Sequence, residues 1–327
     1  MQLSGWIELV LFMGILLALT KPLGIYLVKV LKPHQPTFMD PMISPLERLV
    51  YRVSGVEPGR EQRWQEYALS VLLFSVVGMI FTYLILRIQA YLPLNPQRMG
   101  NVSADLAFNT AASFTTNTNW QNYGGESTLS HFSQMVALTF HNFVSAAAGI
   151  GIAAALVRGL ARSTAQTIGN FWVDLVRVTL YLLLPICVVY AIFLVSQGVL
   201  QNFNAGVIAY PVEETATGIQ QIAQGPMASQ IAIKMLGTNG GGFMNANAAH
   251  PYENPTPLSN FVQMLSIFLI PSGLTYYLGR TVGNQRHGWT VWGVMTMLFL
   301  AGTIVCWRVE SAGNPRHVTL GVEAGPG

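Results

Sequence analysis

The sequence predicts an all-α polytopic membrane protein: a leading transmembrane helix, then repeated units of a span, a short re-entrant helix and a second span. Three observations carry that prediction. Of the 327 residues, 51% are hydrophobic and 9% charged, with a mean hydropathy of +0.42, far below the roughly 25% charge of a soluble domain. Six segments come close to the about 20 mostly apolar residues that cross a hydrocarbon core. A short helical pattern that ends in a polar loop occurs twice between spans. This composition excludes a soluble enzyme.

The first span, Trp6 to Val28, is interrupted by Glu8, Lys21 and Pro22 and is expected to kink; a charge near mid-bilayer costs about 2.5 to 3.5 kcal/mol. Its opening residues carry no basic stretch and no small-residue cleavage site, so no signal peptide is expected. The other spans are Ala68 to Ile88, Phe132 to Leu156, Val173 to Val195, Phe261 to Leu278 and Trp289 to Trp307, with Trp6, Tyr91, Trp172 and Trp289 as interfacial anchors.

Lys and Arg set the orientation. Lys29, Lys32, Arg48, Arg52, Arg60 and Arg63 follow the first span, whereas the longer connection from Gln89 to His131 holds only Arg98. Arg158 and Arg162 separate spans three and four, Lys234 is alone between Ser196 and Asn260, and Arg280 and Arg286 separate spans five and six. The first loop is therefore expected on the cytoplasmic side, with the N-terminus and both long connections outside. The basic residues are spread along the chain, so no nucleic-acid surface is expected. Cys187 and Cys306 sit in apolar runs without metal or redox spacing and read as buried small hydrophobes.

The first outer connection holds a short helix from Ser103 to Phe114, with Ser103 as its N-cap and Asp105 at the positive end of the dipole; it leads into Thr115-Thr116-Asn117-Thr118-Asn119. The second holds a helix from Pro226 to Leu236, with Pro226 in the first turn and Gly237 as the cap, leading into Thr238-Asn239-Gly240-Gly241-Gly242. Thr116-Asn117 matches Thr238-Asn239 at an offset of 122 residues. The chain is thus expected to divide into a leading helix and loop (1–65), a first unit (66–165), a second unit (166–284) and the opening span of a third (285–327).

A re-entrant helix entering from outside aims its carbonyl end inward, equivalent to about half a negative charge. Loop carbonyls beyond it can replace the water shell of an ion. Glycines 240 to 242 are expected to take left-handed angles that turn successive carbonyls toward one axis. Neither loop holds a carboxylate, so a bare monovalent cation fits better than a divalent one.

Other features read blandly. The glycine run lacks the lysine of a phosphate loop, and Gly237 and Gly241 lie outside any apolar helix. His131, His141 and His250 lack metal-ligand spacing; His141-Asn142 is expected to brace a pore helix, and Asp174 with Arg177 to form a local ion pair.

Asn117-Thr-Asn-Trp-Gln121, Gly237-Thr-Asn-Gly-Gly-Gly-Phe243, His250-Pro-Tyr-Glu-Asn-Pro255, Asn260-Phe-Val-Gln-Met264, Tyr91-Leu-Pro-Leu-Asn-Pro96 and Trp172-Val-Asp-Leu175 resemble the potassium-binding A subunits of Kdp-type potassium-transporting ATPases. The resemblance runs along nearly the whole chain. It implies the fold of the potassium channel and transporter superfamily, K+ as the transported ion with no other cofactor, and filter roles for Thr116, Asn117, Thr118, Asn119, Gln121, Thr238, Asn239, Gly240, Gly241 and Gly242. It also implies an ATP-hydrolysing B subunit, a C subunit and in some complexes an F subunit, all in contact with membrane lipid. The chain itself has no Asp-Lys-Thr-Gly phosphorylation loop, so ATP hydrolysis is expected on a partner.

The family pattern has four units around one pore, and a third filter is expected about 50 to 65 residues beyond Trp289, past Gly327. Two filter segments line at most half a ring. A chain carrying the missing C-terminal half, a second copy, or a truncated non-transporting role in assembly or regulation are the alternatives, beside a passive potassium channel or porter.

Overall fold

The computed structural model describes residues 3–32, 35–162, 166–212 and 218–313. Among them, six helices are long and apolar enough to cross a membrane: α1 (Leu3–Val30), α3 (Trp64–Ile88), α5 (Ser133–Ala161), α6 (Phe171–Ser196), α8 (Pro257–Thr281) and α9 (Gln285–Ala312). The amphipathic α2 (Asp40–Ser54) lies between the first two spans. Two short helices, α4 (Ala104–Thr115) and α7 (Met227–Leu236), each stand between spans. At 1.5 Å per residue they reach only about 15 to 18 Å, half the hydrocarbon thickness. A small antiparallel hairpin, not expected from the sequence, pairs Val207–Ala209 with Gln220–Ile222 in the second connection.

Helix α1 runs unbroken through Pro22 and packs along α8 on small residues. A Cβ on Gly24 would meet the Tyr276 ring at 2.6 Å, and one on Gly273 would stand 3.0 Å from Leu23. Close approach through small residues is how helices associate where water supplies no driving force. Helix α5 applies the same logic around the site: its buried residues include Ala146, Ala147, Ala148, Gly151, Ala154 and Ala155, and a Cβ on Gly237 at the end of α7 would lie 2.9 Å from the Ala146 Cβ. Both α5 and α6 contain a π-helical stretch, Ser133–Thr139 and Val178–Leu183.

Charges at one end of the bundle are neutralised across elements. Arg158 binds Asp174 bidentately, at 2.7 Å to each oxygen, and also donates to the Leu31 carbonyl at 2.9 Å. Tyr67 adds a hydroxyl to the same carboxylate at 3.1 Å. Arg177 binds Glu47 of α2 at 3.0 Å, and Glu47 also accepts from Tyr51 and Tyr181. The expected local pair of Asp174 with Arg177 is therefore wrong. A buried ion needs several good partners to offset desolvation, and Asp174 and Arg177 find their charged partners on other helices rather than one turn away. Cys187 is buried as expected, but Cys306 is exposed on α9, which packs on one side only, with Phe299 against Phe12 and Phe268 and Trp292 Nε1 donating to Ser272 Oγ at 2.8 Å.

Candidate cation filter

The two short helices end in the same backbone path. Thr116 (φ −85°, ψ 5°) and Gly237 (φ −83°, ψ 1°) leave the helices alike. Asn117 (φ 63°) then matches Thr238 (φ 57°), and Asn119 (φ 53°) matches Gly240 (φ 86°). The Ser113 carbonyl accepts from the amides of Thr118 and Asn119 at 3.0 and 3.2 Å, as the Lys234 carbonyl does from Asn239 and Gly240 at 2.9 and 3.2 Å. The structural register is therefore 121 residues, not 122. The shared Thr-Asn dipeptide misleads by one position, because the backbone turn and not the side chain repeats.

Ser103 and Gly237 cap the short helices as expected, while the details of the caps come from the structure. Ser103 stands at the N-cap of α4 but takes no helix amide on its side chain; Asp105 does so instead, and the Ser103 hydroxyl and the amides of Asp105 and Leu106 hold that carboxylate below its usual range. Pro226 sits just before α7, and Gly237 keeps an ordinary φ rather than a left-handed one.

Only one of the three glycines is there for its angle. Gly240 takes φ +86° with open space where a side chain would stand. Gly241 and Gly242 are required by close approach: a Cβ on Gly241 would lie 2.9 Å from the Asn119 Cβ, and one on Gly242 would lie 2.9 Å from Lys234 Nζ and 3.0 Å from Glu253 Oε1. The expectation that all three serve left-handed angles is corrected accordingly.

All ten residues singled out from the sequence fall in these two loops, and the loops touch. Gln121 donates through Nε2 to the Gly242 carbonyl at 3.1 Å, and Gly242 N donates back to its Oε1 at 2.9 Å. Asn117 Nδ2 donates to the Gly237 carbonyl at 3.2 Å, and Asn239 Nδ2 donates to Asn117 Oδ1. Thr116, Thr118, Thr238 and Gly240 remain exposed, whereas Asn119, Asn239, Gly241 and Gly242 are buried.

Helix α5 braces both loops at once. Asn142 Oδ1 accepts from Asn119 Nδ2 at 2.6 Å, and its carbonyl accepts from Asn239 Nδ2 at 3.3 Å. Ser145 Oγ donates to Asn117 Oδ1 at 2.8 Å and receives Asn239 Nδ2 at 3.3 Å. Asn142 was legible as an intramembrane amide; Ser145 carried no signal, being one small residue in an alanine run. His141, expected to brace a pore helix, instead meets Thr82 Oγ1 of α3 at 2.9 Å. Lys234 was read as an outer topology marker, yet it is fully buried and paired with Glu253. Two helix carbonyl ends and a run of backbone oxygens, without a carboxylate in either loop, form a surface suited to a monovalent cation.

The family model described as Potassium-transporting ATPase A subunit matches residues 10–325. The chain belongs to that family. Among its relatives are proteins named potassium-transporting ATPase potassium-binding subunit in Koribacter versatilis (53% identical over 96% of this chain and 56% of the relative), Granulibacter bethesdensis (55% over 99% and 56%) and Rhodopseudomonas palustris (54% over 99% and 57%). The chain spans about half the length of these curated relatives. Family membership and six apolar helices together make it a multi-pass membrane protein of a potassium-transporting ATPase family.

Proposed function

We propose that this chain binds K+ between the loops 116–121 and 238–242 and draws it from the outer face, as part of an ATP-driven uptake complex of the bacterial inner membrane. The observation that carries the reading is the repeated turn. Two helix C-termini converge on loops that share φ signs and capping bonds, touch through Gln121 and Gly242, and hold no carboxylate. A dehydrated monovalent cation is what such carbonyl-rich backbone stabilises. Residues 66–165 and 166–284 then form two span, pore-helix, span units after a leading helix, and 285–327 opens a third. The basic loop after α1 supports an outer N-terminus.

ATP is hydrolysed on a partner B subunit, with a C subunit and in some complexes an F subunit completing the assembly; the absence of a phosphorylation loop in this chain supports that division. Isothermal titration of K+ into the detergent-purified chain, alone and with its downstream reading frame co-expressed, tests the proposal. Saturable binding in either preparation, with Na+ much weaker, is the expected result. No K+ binding in both overturns it.

A further inference from the structure

We infer that Lys234 and Glu253 are a positioning pair that sets the shape of the second filter loop, and through it the discrimination of K+ from Na+. The inference rests on the reading of 238–242 as a filter. Both side chains are 0% exposed, and Lys234 Nζ donates to Glu253 Oε2. Two buried ions cost several kcal/mol each to desolvate unless geometry and hydrogen bonds are complete. Around Glu253 they are well furnished: its Oε1 accepts from Met244 N at 2.8 Å, its carbonyl accepts from Gln263 Nε2 at 2.9 Å, and its own amide donates to the His250 carbonyl at 2.9 Å.

The pair lies directly behind the loop. A Cβ on Gly242 would stand 2.9 Å from Lys234 Nζ and 3.0 Å from Glu253 Oε1, while the other side of Gly242 holds two bonds to Gln121. Lys234 thus grips the loop twice. Its carbonyl caps Asn239 and Gly240, and its side chain ties the helix end to Glu253, which in turn holds Met244 just past the glycines. The residue in register, Ser113, caps its loop with the same carbonyl, but among the described residues its hydroxyl has no partner. Asn142 and Ser145 reach both loops, so the ion pair is a support that the second loop has in addition. The pair is also neutral overall, so a lysine can stand behind a cation site without repelling its occupant. A lone charge left by removing one partner would disturb both geometry and field.

The test uses Lys234→Met, Glu253→Gln and the double variant, each purified as the full chain in the preparation that binds K+. Expected in each single variant is a fall of about tenfold or more in the ratio of K+ to Na+ affinity, with partial recovery in the double variant, since neighbouring sites are non-additive. A merely scaffolding role would lower the melting temperature without moving that ratio or giving recovery. Singles that keep the ratio within about twofold, or losses that simply add, overturn the inference. Amide exchange across 240–244 decides independently of ion binding: about tenfold faster exchange in the singles is expected, with α3 and α5 unchanged. If the native chain binds no K+, the filter reading fails, and the pair's hold on the loop is still judged by exchange. Should the singles not fold, Glu253→Asp and the double variant supply the exchange readout, and protection equal to the native chain in both rejects the pair.

Discussion

The two filter loops share one backbone turn but differ in what they bring to it. In the structural register, Asn119, Trp120 and Gln121 of the first loop stand where the second has Gly240, Gly241 and Gly242. The first loop supplies side chains and the second supplies room: the Asn119 side chain lies against Gly241, and Gln121 binds both polar atoms of the Gly242 backbone. Their supports differ as well: Asn142 and Ser145 of α5 hold both loops, and the second has a buried ion pair behind it in addition. A repeat within one chain is free to diverge in this way, because each copy meets its own fixed set of neighbours. Once the copies have become complementary, they are no longer interchangeable.

The sharpest way to break that complementarity is to fill the room. Gly242→Ala places a methyl group against Lys234, Glu253 and the Asn247 amide, and about a hundredfold loss of K+ affinity by titration is expected, the scale of a core clash of 2 to 3 kcal/mol. Gly240→Asp has space for its side chain but a φ of +86° and a new charge beside the loop. A drop of about tenfold in K+ over Na+ discrimination is expected in competition binding; unchanged discrimination would remove Gly240 from the filter. Asn142→Ala removes the Oδ1 that holds Asn119 but leaves the carbonyl that holds Asn239. It should cost K+ affinity about fivefold, one hydrogen bond's worth, and loosen amide exchange in the first loop more than in the second.

His141→Gln should leave K+ affinity within about twofold, since the ring bonds α3 and touches neither loop. The smallest effect lies far from both loops. Arg162 donates twice to Glu61, at 2.8 and 3.0 Å, and these bonds, with one from Thr167, hold its carboxyl below the usual carboxylate range. The contribution is present above the unfolded-state pKa and lost as pH falls through the lower folded value. Glu61→Gln should therefore flatten only the acid limb of melting temperature against pH, modestly, because the pair is partly exposed.

Much of this comparison was legible in the sequence. The six spans and both short helices follow from apolar length and from punctuation at Ser103, Pro226 and Gly237. What escaped is whatever depends on contacts distant in the chain. Lys234 looks like an outer basic residue until its partner, on the far side of the glycines, is seen beside it. Asp174 and Arg177 are one turn apart, yet Arg158 and Glu47, on other helices, are their ion-pair partners. The register slipped by one because identical side chains are visible in a sequence and identical torsions are not. Gly241 and Gly242 were assigned the wrong reason, since steric need comes from Asn119, Lys234 and Glu253, which only the fold brings near.

The central claim is that both loops face one ion. Crystals of the chain, in the preparation that binds K+, soaked with thallium(I) as a potassium mimic and measured for anomalous scattering, test it directly. The account predicts a peak between 116–121 and 238–242, coordinated by backbone oxygens from both loops. A peak bound by only one loop, or one located elsewhere in a chain that binds K+ in solution, would contradict it.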